Sequence, residues 1–302
     1  MRPVKLLSVL LAAAALPAAA DSATAFNPEV SLILAGQYAR RSIDPATYAI
    51  PGFPLATEAR PGANGFALAE SELVIKANAD DFFSGRLIVA ITPENTAELE
   101  EAALETLALP AGLTLTAGRF KSSIGYLNSQ HPHTWDFTDV ALPYRALLGG
   151  TYGDDGVRVR WLAPTTQFLE LGAEALRGAN WPGGGDAAKH EAVTAFIRTG
   201  GDVGDSHAWR VGLSWLRVDA GERLSGSEDA PDAFRGRSRL AIADFVWKWA
   251  PHGNARERSF RFQTEYLRRE DDGMFTADLL GTPNADSYQA AHSGWYAQGV
   301  YQ

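Results

Sequence analysis

His131-Pro132-His133, followed by Asp136 and Asp139, gathers two imidazoles and two carboxylates into one short stretch. His and carboxylate oxygens suit Zn²⁺. Histidines separated by a single proline are a weak ligand pattern, however, and no distant His is obviously paired with them. Local turns and hydrogen bonds account for the four residues, and no metal site is assigned. Ser206-His207 and His292-Ser293 supply residue types that hydrolases use, without a supporting spacing. Gly-x-Ser-x-Gly, the phosphate-binding loop and His-Glu-x-x-His do not occur, so no catalytic residue is assigned and no enzyme is expected.

A second set of residues is defined by alternation. Arg158 and Arg160 interleave with Val157, Val159 and Trp161, and Arg210 interleaves with Trp209 and Val211. Arg261 and Glu265 interleave with Phe260, Phe262 and Tyr266. Side chains on a strand point alternately to its two faces, so each segment has an apolar face and a polar one. If the apolar faces meet lipid, Glu72, Lys76, Arg86, Arg158, Arg160, Glu170, Glu174, Arg210, Arg261 and Glu265 point into a lumen. Charged side chains there set ion preference. The alternative is a mutually neutralised interior, with Glu170 and Glu174 pairing to Arg158 and Arg160 across strands.

The elements that must carry these residues are strands. About twelve are expected, near 30–38, 66–78, 84–93, 97–107, 112–120, 156–163, 167–176, 191–200, 206–218, 238–249, 258–270 and 295–301. Propensity alone would make 94–107 helical, but Leu99, Glu101, Ala103 and Glu105 alternate and a strand is assigned. Several segments reach the ~9–11 residues that a tilted strand needs to cross a bilayer. Connections alternate between short and long, with long ones at 39–65, 121–155, 177–190, 219–237 and 271–294 and one exception at 94–96. Transmembrane barrels have short turns on one rim and long loops on the other. Aromatics near strand ends, among them Tyr38, Phe66, Phe120, Trp161, Trp209, Trp247, Trp249, Phe260 and Trp295, are expected to form two interfacial girdles.

Composition agrees. Among 302 residues there is no Cys, which excludes disulfide scaffolds, cysteine nucleophiles and thiolate zinc sites. A formal charge of −9 argues against a duplex-DNA partner. Mean hydropathy of −0.15 and the lack of a long apolar run exclude a polytopic helical membrane protein, though not a barrel. Arg2 and Lys5, the apolar run at 6–15 and Ala18-Ala19-Ala20 read as a secretory signal over residues 1–20, leaving 21–302 as one barrel domain.

GFALAESELVIKANAD (65–80), GRLIVAITPEN (85–95), LTAGRFKSSIGYLNSQHPHTWDF (115–137), LPYRALLGGTYGDDGVRVRWLAP (142–164) and SHAWRVGLSWLR (206–217) resemble a family of Gram-negative, porin-like outer-membrane β-barrels, distantly similar to phosphate-selective porins. The resemblance implies an all-β, antiparallel transmembrane barrel in the outer membrane, reached by signal-dependent export. It implies passive diffusion of small hydrophilic or ionic solutes, with a non-conducting structural or ligand-binding barrel as the alternative. Relatives of the phosphate-selective type usually have more than twelve strands and a C-terminal aromatic. Here Tyr301 is last but one, which favours a piece of a larger barrel.

The segment 121–155 is then the third external loop, which in general porins folds inward and narrows the pore. Tyr126, His131, His133, Trp135, Asp136, Asp139 and Arg145 are its expected constriction residues. The expected partners are the outer-membrane lipid bilayer and small solutes. No nucleic acid and no cofactor are expected, and a homo-oligomer is left open.

Overall fold

The computed structural model describes residues 28–302 apart from 57–58, 63, 93–95, 186–190 and 228. The expected signal lies outside these residues. The chain forms β1 (Glu29–Ile33), β2 (Gly36–Ala39), β3 (Gly65–Leu68), β4 (Ser71–Asn78), β5 (Phe83–Ile91), β6 (Ala97–Thr106) and β7 (Leu113–Lys121). It continues through one short helix, α1 (Leu142–Leu148), to β8 (Gly153–Leu162), β9 (Phe168–Leu176), β10 (Ala192–Val203), β11 (His207–Gly226), β12 (Pro231–Trp249), β13 (Phe260–Ala277) and β14 (Asn284–Tyr301). β1 and β4–β14 make one antiparallel sheet of twelve strands in chain order, and β2 and β3 extend its first hairpin as a ribbon.

The sheet is apolar outside and polar within. On β8, Val157 and Val159 are 53% and 43% exposed while Arg158 between them is 7% exposed. On β10, Val193 and Ile197 are exposed, and Thr194 and Arg198 are buried. A water-soluble sheet would reverse this pattern; a wall between lipid and an enclosed interior requires it. Among the described residues β1 pairs only with β4 and β14 only with β13, so no ladder joins the two ends of the wall. The sheet nevertheless curls around one interior, because the loop at 122–152 touches both β4 and β14.

Three expectations need correction. The long loops expected at 219–237 and 271–294 are instead largely the upper parts of tall hairpins, in which β11 runs to Gly226, β12 starts at Pro231, β13 runs to Ala277 and β14 starts at Asn284. A register shift between Ala220 and Arg223 explains the first. Below it Leu216, Val218 and Ala220 face inward, and above it Arg223 and Ser225 do, so the alternation changes phase and disappears from the sequence pattern. Phe120 belongs to no girdle. It is fully buried inside the barrel, with the Arg158 guanidinium 4.6 Å above its ring.

The interior is also not uniformly polar. Leu216, Leu240, Ile242 and Leu267 turn inward from β11–β13 and pack with Ile124, Leu127, Tyr144 and Leu147 of the inserted loop, forming the apolar core of the molecule.

The ambiguous segment at 94–107 contains strand β6, Ala97–Thr106. Its pairing with β5 slips between Ile88 and Val89, so that Ile88 faces Glu101 and Val89 faces Leu99, leaving Glu100 as an extra residue. Such a bulge re-aims side chains.

Candidate functional site

The loop from Ser122 to Tyr152 enters the interior directly from β7 and is held there by inward-facing carboxylates. Glu174 of β9 accepts hydrogen bonds from the Ser122 hydroxyl, the Ser123 N–H (2.8 Å) and the Thr194 hydroxyl (2.8 Å). Glu265 of β13 is the second anchor. It accepts from the Tyr126 N–H (2.6 Å), the Leu127 N–H (3.1 Å), the Tyr144 hydroxyl (2.8 Å) and the Tyr296 hydroxyl (2.6 Å). Burial and the nearby Glu265 charge raise the Tyr144 hydroxyl well above the usual phenol range, which keeps it a proton donor. Gly125 (φ +65°) makes this anchor possible. A Cβ at that position would lie 2.3 Å from the Tyr144 hydroxyl and 2.6 Å from Glu265 Oε1.

Tyr144 is delivered by α1. Pro143 sits in the first turn, where a missing N–H costs nothing, and Gly149 in the left-handed conformation ends the helix. The buried face of α1 packs toward β13 and β14, and the Leu147 carbonyl accepts from Arg269 at 2.7 Å.

The expected constriction residues all lie on this inserted loop, but they do not form one cluster. Tyr126 lies under the Arg210 guanidinium at 4.6 Å. Trp135 donates its indole N–H to the Gln130 carbonyl at 3.2 Å. Asp136 accepts from Arg261 of β13 and from Gln298 of β14, the latter at 2.9 Å. Asp139 pairs with Arg145 within the loop at 3.2 Å. Asp136 and Asp139 are thus engaged elsewhere, and the four-residue His/Asp cluster suggested by local spacing does not assemble.

His131 and His133 instead meet carboxylates on the wall. His131 Nε2 is 2.8 Å from Glu101 Oε1, and its Nδ1 is 3.2 Å from Glu100 Oε2 and 3.3 Å from Glu72 Oε1. His133 Nδ1 is 3.0 Å from the same Glu72 oxygen. Burial by itself would lower the His131 pKa; contacts with Glu100, Glu101 and Glu72 outweigh it and push the imidazole up to about 10.

The expected lumen charges face inward and, Lys76 apart, are held by partners. Arg86 contacts Glu101. Arg158 lies 3.8 Å from both Glu105 and Glu174. Arg160 bridges Glu105 (2.9 Å) and Glu170 (3.7 Å), and Arg198 also takes Glu170 at 3.0 Å. Arg210 pairs with Asp244 at 2.8 Å, and Arg261 with Asp136. Wall and loop carboxylates therefore match the arginines in a ladder that crosses several strands.

Such a neutralised ladder on the inner face, behind an outer face of Val, Leu, Ile and Trp, decides the class of the molecule. It is an outer-membrane-type β-barrel, with the lipid bilayer against its apolar face.

No protein-family model matches the sequence. The chain is 31% identical over 303 residues to an uncharacterized protein of Aquifex aeolicus (strain VF5), covering 93% of this chain and 62% of that protein. The chain thus spans 62% of the length of the curated relative it matches. Among solved structures, in-vitro folded OmpT in its trimer form, an outer membrane protein of Vibrio cholerae, aligns with 91% of this barrel and 99% of that chain at 10% identity and a TM-score of 0.39. A loop L8 deletion mutant of the same protein aligns with 91% of this barrel and 99% of that chain at 8% identity and a TM-score of 0.32.

Several residues of the barrel's site escaped the sequence reading. Glu100 and Glu101 were hidden in an ambiguous segment, although two adjacent acids in a strand are a usable sign of a bulge. Arg198 and Asp244 carried no signal beyond alternation. The Arg223–Asp271 pair (3.3 Å) lies in the stretches expected to be loops.

Proposed function

We propose that this barrel is a porin-like channel of the outer membrane through which small hydrophilic or ionic solutes diffuse passively, narrowed by the loop at 122–152. The insertion of that loop carries the reading. It is fixed at Glu174, Glu265 and Glu101 on different strands, so it forms a rigid ledge across the interior rather than a free tether. Cavities of about 780 Å³ and 540 Å³ lie toward the two ends of the interior. The larger includes Glu100, Lys121 and Arg223, and the smaller includes Asp205, Lys248 and Arg261. With arginines and carboxylates paired along the wall, weak ion preference is expected, set by the few charges left without a partner.

The apolar core between α1 and β11–β13 favours a second reading, a barrel plugged by its own loop that serves a structural or ligand-binding role. Planar-bilayer recordings of the purified protein separate the two. Stable single-channel steps that grow when residues 131–139 are replaced by a short Gly-Ser link support diffusion. No steps from a barrel shown to be folded would overturn it in favour of the plug.

A further inference from the structure

The arrangement around His131 does more than hold the loop. Its Nε2 faces Glu101 Oε1 at 2.8 Å, and Glu101 is held in turn by Arg86. A carboxylate on one ring nitrogen fixes the tautomer in which that nitrogen carries the proton. Nδ1 then faces Glu100 Oε2 (3.2 Å) and Glu72 Oε1 (3.3 Å), two acceptors that call for either a second ring proton or a cation between them. Neither Nδ1 contact has hydrogen-bond geometry. His131 Nδ1 and Glu100 Oε2 are both buried without a hydrogen-bond partner. Glu72 has a fully buried side chain, and its second oxygen, Oε2, has no donor at all. Two carboxylates thus converge on one imidazole nitrogen, a donor set that a divalent cation can hold together in place of the second ring proton.

We infer that Glu72, Glu100 and His131 form a divalent-cation site of the zinc class that ties the inserted loop to the barrel wall. The ligand atoms all lie within 4.8 Å of one another. Bonds of ~2.0–2.1 Å to a tetrahedral ion separate neighbouring ligand atoms by about 3.3 Å. The two distances from Nδ1, 3.2 and 3.3 Å, match that edge. An imidazole with two carboxylates suits Zn²⁺ and related transition ions better than Ca²⁺ or Mg²⁺, which take oxygen ligands in larger number. Three protein ligands leave a fourth position for water.

The charge balance points the same way. Glu72, Glu100 and Glu101 gather around His131, while the permanent cations beside them are Lys121 and Arg86. Three carboxylates against two permanent cations leave the group net negative when the imidazole is neutral, the form in which it binds a metal. The bulge at Glu100 is the backbone device behind the site, since it lets consecutive acids, Glu100 and Glu101, both reach the imidazole.

The test is calorimetry of ZnCl₂ into the purified, chelator-treated protein, with Co²⁺ absorption as the spectroscopic readout. One zinc per chain, binding more tightly than Ca²⁺ or Mg²⁺, and visible bands of a four-coordinate Co²⁺ site are expected. His131→Gln changes the loop without touching a strand and is expected to abolish both signals while far-UV dichroism keeps its β-sheet form. Glu101→Gln, one shell further out, is expected to weaken zinc by about 10–100-fold. His252→Gln, at the exposed His252–Asp205 pair on the short-turn rim, is expected to change nothing. No stoichiometric zinc uptake by folded wild type, equal affinity in His131→Gln, or loss of uptake in His252→Gln would each overturn the assignment. None of these readouts depends on conduction.

Discussion

Tyr144 and Glu265, 121 residues apart, meet in a buried hydrogen bond of 2.8 Å that joins the helix of the inserted loop to the barrel wall. The carboxylate collects three further donors from Tyr126, Leu127 and Tyr296, so a single side chain on β13 sets the depth to which the loop descends.

Replacing that carboxylate should free the loop. Glu265→Gln turns an acceptor-only group into one whose NH₂ faces buried donors, at a cost of about 3 kcal/mol given the strength of charged hydrogen bonds. Trypsin cleavage at Arg145, half-buried in the native loop, is the measurement: it should become fast in the variant and stay slow in wild type.

Gly125 offers an independent route to the same state. Gly125→Ala costs about 1–2 kcal/mol for the left-handed backbone alone, and the added methyl enters the space of the Tyr144–Glu265 bond. Faster cleavage at Arg145 is expected again, together with a lower urea midpoint. A variant as resistant as wild type would show that the loop does not need this anchor.

Reversing the charge at Arg158 and Arg160 together should damage the barrel rather than retune it. The change places two more carboxylates beside Glu105, Glu170 and Glu174. Losing a partner from a buried pair costs about 3–5 kcal/mol. Refolding yield and urea midpoint are both expected to fall.

Ion preference is better tested at Lys76. It shares the inward register of Glu72 on β4, is exposed, and has no ion pair within 4.0 Å among the described residues. Lys76→Glu should keep the fold and move the reversal potential in a salt gradient toward cation preference. An unchanged potential would mean that Lys76 does not line the path.

The loop tip should respond to a milder change. Asp136→Asn weakens the tie to Arg261 without removing the amide-compatible contact to Gln298. Larger or noisier conductance steps are expected, with unaltered stability of the wall.

The sequence by itself determined the wall. Alternation with period two places Val157 and Val159 opposite Arg158 and Arg160 whatever surrounds them, because successive side chains on a strand must face opposite ways. It also singled out the residues from Tyr126 to Arg145 that the inserted loop carries. What periodicity cannot carry is a change of phase or a distant partner. The bulges at Glu100 and after Ala220 shift the inward face by one residue, and the second erased the tops of β11 and β12 from the pattern. Partner choice depends on closure in three dimensions. Local spacing joined His131 to Asp136 and Asp139, whereas curling of the sheet brought it to Glu72, Glu100 and Glu101. Only the tertiary structure decided this, because a residue in a loop meets the carboxylates that the wall brings to its depth, not those adjacent in the chain.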